Sequence, residues 1–337
     1  MFFTIYQIFR SIGPAGTKTG VVIVALLVST CILAQQTPQY TMTMLDKYRF
    51  NPAYAGMEAS LVITGSLKSQ WETFPGQPKF QQVNAHLPLY IANGGAGFKF
   101  YHDAVGAEQT MGFQASYNYV IDSDIGIFSV GLSAGMIQKK INGALLRTPD
   151  GIYEGNTIVH NDPILSSTKG SGIGPTASLG VFFANDYIEA GIAIDQAFGN
   201  TIKANNAEET TFQLKRGVNA FVEYSYAVTD EIVLYPAIFA KTDLVQTQLD
   251  VMVRAEYQDL YFGGLVFRGY NANTVDAVAI FLGTRISSSL KVGYAYDITL
   301  SGLRNFTDGT HELFVQYDLN KPVGIGRPEK IIYNPRY

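Results

Sequence analysis

The sequence predicts an all-β protein, a transmembrane antiparallel β-barrel of about fourteen strands. Three observations predict it. Charged residues make up only 15% of the 337, against roughly 25% in ordinary soluble domains, yet the mean hydropathy of +0.08 is too low for a bundle of membrane helices. Beyond residue 36 no apolar run approaches the ~18 residues of a spanning helix. Most of the chain consists of alternating apolar and polar segments, long enough to cover the about 9–11 residues that a tilted membrane strand needs.

Taken in order, the first element is a signal peptide over residues 1–34. It holds Arg10 and Lys18 and no acid, then the apolar run from Gly20 to Val28, and ends at Ala34. That run is shorter than a spanning helix, which favours a cleaved leader over an anchor. Of the 24 basic residues 22 follow it, with all 28 acidic ones and no cysteine. Export without disulfides suits a bacterial envelope protein. An acidic chain offers no basic field to a phosphate backbone, so no nucleic-acid partner is expected.

Residues 35–57 form an N-terminal plug or hatch segment. Gln39 to Phe50 has the spacing of a short helix with Met42, Leu45 and Phe50 turned inward, and Asn51-Pro52-Ala-Tyr-Ala-Gly56 follows as a turn.

Residues 58–319 form the barrel. Strands are expected near 59–72, 79–90, 95–103, 108–121, 125–139, 174–184, 187–196, 212–228, 231–242, 247–258, 260–269, 274–286, 289–299 and 310–319. In the segment 290–297, Leu290, Val292, Tyr294 and Tyr296 share one face, and Lys291, Gly293, Ala295 and Asp297 the other. The same period of two recurs around 218–226, 249–258 and 312–319. Alternation alone fits a soluble sandwich equally well. Strand length, tyrosines at segment ends (Tyr117, Tyr119, Tyr224, Tyr226, Tyr257, Tyr261) and short turns alternating with long loops favour the barrel. The longest connection, about 141–173, is expected to be an outer loop or a fold-in lid.

The polar face of the second half carries a candidate lumen network: Glu223, Asp250, Arg254, Glu256, Arg268, Arg285, Lys291, Asp297 and Glu312. Mixed signs on neighbouring strands can pair across the interior. With bulky Phe221, Phe281 and Phe314 on the same face, a plugged or narrow barrel is expected rather than a wide pore.

No motif for chemistry stands out. His86, His102, His160 and His311 lack metal-ligand spacing, Asp122-Ser-Asp124 lacks the other ligands of a calcium loop, and Gly170, Gly172 and Gly174 precede no helix. No cofactor, metal or catalytic residue is expected. The tail 320–337 has four bases to one acid and is a candidate docking element, with Ile331, Ile332, Tyr333, Arg336 and Tyr337 as anchors.

An ordered set of short motifs carries a family resemblance: Asn51-Pro-Ala-Tyr-Ala-Gly56, Ser69-Gln-Trp71, Gly76-Gln-Pro78, His86-Leu-Pro-Leu89, Gly94-Gly-Ala-Gly97, Gly293-Tyr-Ala-Tyr-Asp297 and Asn334-Pro-Arg-Tyr337. In these the chain resembles the PorP/SprF outer-membrane proteins of the type IX secretion system and gliding motility of Bacteroidota. The resemblance implies a fatty-acid-transporter-like barrel in the outer membrane and no enzyme activity. It implies as partners a secreted adhesin or its C-terminal sorting domain, periplasmic and outer-membrane secretion subunits, and membrane lipid. Trp71 and Asn51-Pro52 are expected to fix the plug and first strand. The competing class is a channel for small hydrophobic substrates.

Overall fold

The computed structural model describes residues 39–154, 157–162, 167–205, 210–270 and 274–320. The predicted signal peptide and tail residues 321–337 lie outside them. The wall strands are β1 Val62–Ser69, β2 Lys79–Leu89, β3 Gly94–Val105, β4 Glu108–Ser123, β5 Gly126–Asn142, β6 Lys169–Ala184, β7 Ile188–Asp195, β10 Gly217–Tyr224 continued by β11 Tyr226–Ala227, β12 Ile232–Thr242, β13 Thr247–Tyr257, β14 Tyr261–Arg268, β15 Ala277–Ser287, β16 Leu290–Thr299 and β17 Thr310–Asp318. A small hairpin, β8 Thr201–Lys203 and β9 Thr211–Gln213, stands between β7 and β10.

Each wall strand pairs antiparallel with its neighbours, and β1 pairs with β17 from Val62↔Asp318 to Ser69↔His311. The sheet is therefore a closed barrel of fourteen strands, and closure removes the exposed edges that an open sheet would present. The one interruption lies in the β10–β11 strand. Ser225 breaks it opposite Tyr235 and Pro236, and Pro236 has no N–H for a ladder bond.

Alternation decides which face is which. Along β13, Asp250, Met252 and Arg254 are buried while Val251 and Val253 are exposed. In a soluble protein such a shell of exposed Val, Ile, Leu and Phe would be untenable; on a barrel it is the lipid-facing band. Tyr117, Tyr119, Tyr224, Tyr226, Tyr257 and Tyr261 are all exposed at the end with short turns, where they form a girdle. The opposite end carries the long connections and is the outer one, as in outer-membrane barrels.

The stretch 39–60 lies within the ring and differs from the expected helix. It consists of three short 3-10 turns, Thr43–Leu45, Lys47–Arg49 and Pro52–Tyr54. Met42 and Phe50 are buried as expected, but Leu45 is only half-buried. Bonds to wall side chains at almost every turn leave no room for a continuous helix. The chain descends from the outer end, where Gln39 accepts a hydrogen bond from Gln70, to the turn end, where the Gly56 N–H donates to His86 Nδ1 (3.2 Å).

The wall receives it through glycines. A Cβ on Gly131 would lie 2.3 Å from the Ala53 nitrogen, and one on Gly95 2.1 Å from the Ala55 oxygen. Gly131→Val is therefore expected to displace the segment and destabilise the barrel by about 1–3 kcal/mol, the usual cost of overpacking. Gly65→Ala, where the nearest atom would be 4.0 Å away, should be silent. Unfolding of both variants in urea would check the pair.

The longest loop is not what folds inward. Within 143–168, His160 is buried by its own loop, bonded to Tyr153 and the Gly143 carbonyl. The β8–β9 hairpin turns in instead, and Ile202, Phe212 and Leu214 pack on Ile137 with Tyr101 and Ile141 beside them. Gly172 and Gly174 provide its slot: a Cβ there would meet Lys203 O at 2.3 Å and Ile202 Cγ1 at 2.8 Å. That gives the glycine run a packing role.

Candidate functional site: the charged barrel interior

Two buried ion-pair clusters join the inner segment to the wall. In the outer half, Arg268 reaches Asp250 (3.3 Å) and Asp297 (3.1 Å), and its Nη2 donates to the Tyr40 carbonyl (3.0 Å). Lys68 lies 3.2 Å from Asp297 and 3.4 Å from Glu312. Glu312 also accepts from the backbone N–H groups of Thr41 (2.8 Å) and Met42 (3.3 Å), and the Thr41 hydroxyl donates to Asp297 (2.5 Å). Two cations thus face three carboxylates. The backbone donors and the Thr41 hydroxyl supply the remaining stabilisation.

Towards the turn end Lys47 bridges Glu189 and Glu223, the latter at 2.8 Å. Arg254 pairs with Glu223 (3.5 Å) and Glu256 and lies 3.8 Å over the Tyr235 ring; Lys291 adds to Glu256 at 3.6 Å. Three cations meet three carboxylates here. Glu189 and Glu223 are 0% and 1% exposed, so neither has water as an alternative partner.

Between the clusters, Asp46 accepts from Arg49 Nε (3.1 Å) and Asn84 (2.8 Å), while Lys99 donates to the Arg49 carbonyl (3.0 Å). The Arg49 guanidinium lies 4.0 Å over the Tyr40 ring and also reaches Ser66. Below them Asn51 Oδ1 caps the third turn at the Ala53 N–H (2.9 Å), its Nδ2 donates to Val181 O (2.8 Å), and Pro52 opens the turn. The Ala53 carbonyl accepts from Asn118 and Ser129, both at 2.7 Å. Where the segment leaves for β1, burial pushes the Glu58 carboxyl up to about 7, and the nearby Asp318 charge adds to the rise.

Of the nine residues of the expected lumen network, eight fall in these clusters. Arg285 instead donates from Nε to the Asp259 carbonyl (3.1 Å) at the turn end, because β15 is irregular from Arg285 to Ser287. Trp71 also differs. It is half-exposed in the loop after β1 with positive φ, and its backbone N–H donates to Thr310 Oγ1 (3.1 Å), so it holds a loop and not the inner segment. Sequence reasoning missed Lys47, Lys68, Arg49, Asp46 and Glu189. The inward register of β1 (Val62, Thr64, Ser66, Lys68) would have given Lys68, and that of β7 Glu189. The anchors Ile331, Ile332, Tyr333, Arg336 and Tyr337 lie outside the described residues.

Among the described residues no three His, Cys, Asp or Glu side chains gather as a metal site. Every carboxylate of the two clusters faces a cation, which leaves none as a general base.

The comparisons agree with the geometry. Solved structures similar to this chain include the toluene transporter TbuX of Ralstonia pickettii (12% identity, TM-score 0.50, covering 82% of this chain and 92% of that one). A Pseudomonas aeruginosa FadL homologue follows (11%, TM-score 0.45, 80% and 92%), with Omp33 of Acinetobacter baumannii (8%, TM-score 0.45, 78% and 99%). At 12% identity the toluene transporter speaks to the fold alone. No curated protein sequence matches. The model of one family, "Type IX secretion system membrane protein PorP/SprF", matches residues 32–317. The chain therefore belongs to the PorP/SprF family of type IX secretion system membrane proteins and is an integral β-barrel of the outer membrane.

Proposed function

We propose that this barrel serves the secretion machine as a plugged, non-enzymatic partner. It helps to export large secreted proteins such as gliding adhesins, or to hold them at the surface, by binding their C-terminal sorting domain or periplasmic secretion subunits. The observation that carries this reading is the occupied interior. A diffusion channel gains nothing from burying five cations and six carboxylates around an inward-folded chain, because an unfilled lumen leaves those charges hydrated at no desolvation cost. A partner that works through its surfaces loses nothing by being closed.

In this reading the basic tail, with Ile331, Ile332, Tyr333, Arg336 and Tyr337, docks on a periplasmic subunit. Purification of the tagged barrel from native membranes is the test. A large secreted protein or periplasmic secretion subunits should accompany it, and removal of residues 322–337 should release the periplasmic subunits. Recovery of lipid alone would overturn the reading. The likeness to the toluene transporter favours a second reading, a channel for small hydrophobic compounds. Uptake of toluene into vesicles carrying the barrel, faster than into empty ones, would establish it.

A further inference from the structure

The lipid-facing surface is not the same all the way round. At the outer ends of β1 to β5 the ladder brings outward-pointing residues into rows that run across the strands. Val83, Phe100, Phe113 and Met136 form one row, all exposed and apolar. Directly above it come Gln81, His102 and Gln138, interrupted by Met111. One level higher are Lys79, Gln109 and Lys140, continued by Ser69 and His311 across the β1–β17 seam.

Two acids are turned away from these rows and one approaches them. Asp103 and Glu108 lie in the inward register, Glu108 pairing with Lys139. Glu72 in the loop is engaged by Ser69 (2.6 Å) and Gln77 (2.9 Å), and its charge acts on His311 and Lys79 from there without a salt bridge. The far wall is different. At its outer end the outward residues Ile194, Val218, Thr242, Phe267, Val278 and Ile298 are uncharged, and the next outward positions bring one cation, Arg216, which donates to the Ala197 carbonyl (2.9 Å), and one acid, Asp276.

Height identifies what meets these residues. On β5 the exposed apolar series runs Phe128, Val130, Leu132, Ala134, Met136 before Gln138 and Lys140 appear. Eight residues of a tilted strand from Phe128 to Met136 climb about 20 Å, close to the apolar band of about 25 Å that such barrels present to lipid. Gln138 and Lys140 therefore sit at the headgroup level of the outer leaflet. Cations without a salt bridge near that level, above aromatic rings and a methionine, complement an anion whose acyl chains lie below it.

We propose that the outer face of β1–β5 binds a phosphorylated glycolipid headgroup of the outer leaflet. Lys79 and Lys140 take its phosphates, Gln81, His102 and Gln138 hydrogen-bond its sugar hydroxyls, and Phe100, Phe113 and Met136 support its acyl chains. The barrel is thereby anchored by one side.

The test uses the full-length barrel in phosphatidylcholine vesicles doped with diphosphorylated lipid A. Glycolipid retained through detergent extraction is measured for the wild type and for Lys79→Gln/Lys140→Gln. Each lysine is expected to contribute about a factor of five, so the double variant should retain about twenty-five-fold less. Its folding is checked by heat-modifiable mobility. Dephosphorylated lipid A should bind the wild type as weakly as the variant binds the intact lipid. Equal retention by the two proteins overturns the proposal. So does full competition by inorganic phosphate at equal concentration, which would make the site one for free phosphate.

Discussion

Replacing Arg268 by Leu is expected to destabilise the barrel by about 3–5 kcal/mol, the cost of leaving buried charge without its partner. Arg268 is 2% exposed and neutralises Asp250 and Asp297, which are 0% and 2% exposed. Lys68 remains to serve Asp297, but Asp250 loses the cation that lies on it. The variant also deprives the Tyr40 carbonyl of a donor, so the start of the inner segment loosens with the wall. Urea unfolding in lipid vesicles gives the magnitude. Adding Asp250→Asn and Asp297→Asn to Arg268→Leu removes the stranded charges and should restore most of the loss. If the triple variant is no more stable than the single one, packing of the arginine and not its charge is the source.

Deleting residues 39–57 is expected to turn a silent barrel into a conducting one. Met42, Tyr48, Phe50 and Tyr54 leave with the deletion, each a buried side chain contributing about 1.5–3 kcal/mol. Glu189 and Glu223 then face water in place of Lys47. For that reason the deletion should spare the wall more than Lys47→Met, which leaves both carboxylates buried and robbed of that cation. Single-channel recording in planar bilayers distinguishes the outcomes. Steady conductance of the intact protein would show that the segment does not seal the lumen. Silence of the deletion variant would place the seal in the β8–β9 hairpin, and an intermediate conductance is expected because that hairpin still narrows the mouth.

The wall was legible in the sequence because its physics is local. Lipid on one side and charge on the other impose a period of two that any eight residues display, as in 290–297, and each of the fourteen expected segments corresponds to a wall strand. The inner segment was not legible in the same way. Its three turns are held by partners more than a hundred residues away, such as Thr41 with Glu312 and Asn51 with Val181, and its own pattern of Met, Leu and Phe imitates a helix. The charges expected inward in the second half lie, apart from Arg285, within the two clusters. Their partners on the first strand and on the inner segment were missed, because Lys47 and Lys68 looked like ordinary surface lysines. Trp71 misled for the opposite reason, a large residue in a loop whose backbone matters more than its ring. The β8–β9 hairpin was hidden, β9 inside an overlong strand and β8 in the connection before it, since three residues on each side give no period.

The inner segment also bears on how the barrel is made. Its bonds reach strands at both ends of the wall, among them β6, β7, β14, β16 and β17, with sequence separations up to 271 residues. No partial sheet can satisfy Lys47 and Thr41 together, because their carboxylate partners lie on strands that arrive early and late in the chain. Such a topology folds slowly, since long loops must close before the contacts that reward closure exist. The first residues of the barrel to be synthesised are therefore among the last to be seated. Until the β1–β17 seam closes, Lys47 and Thr41 cannot both reach their carboxylates.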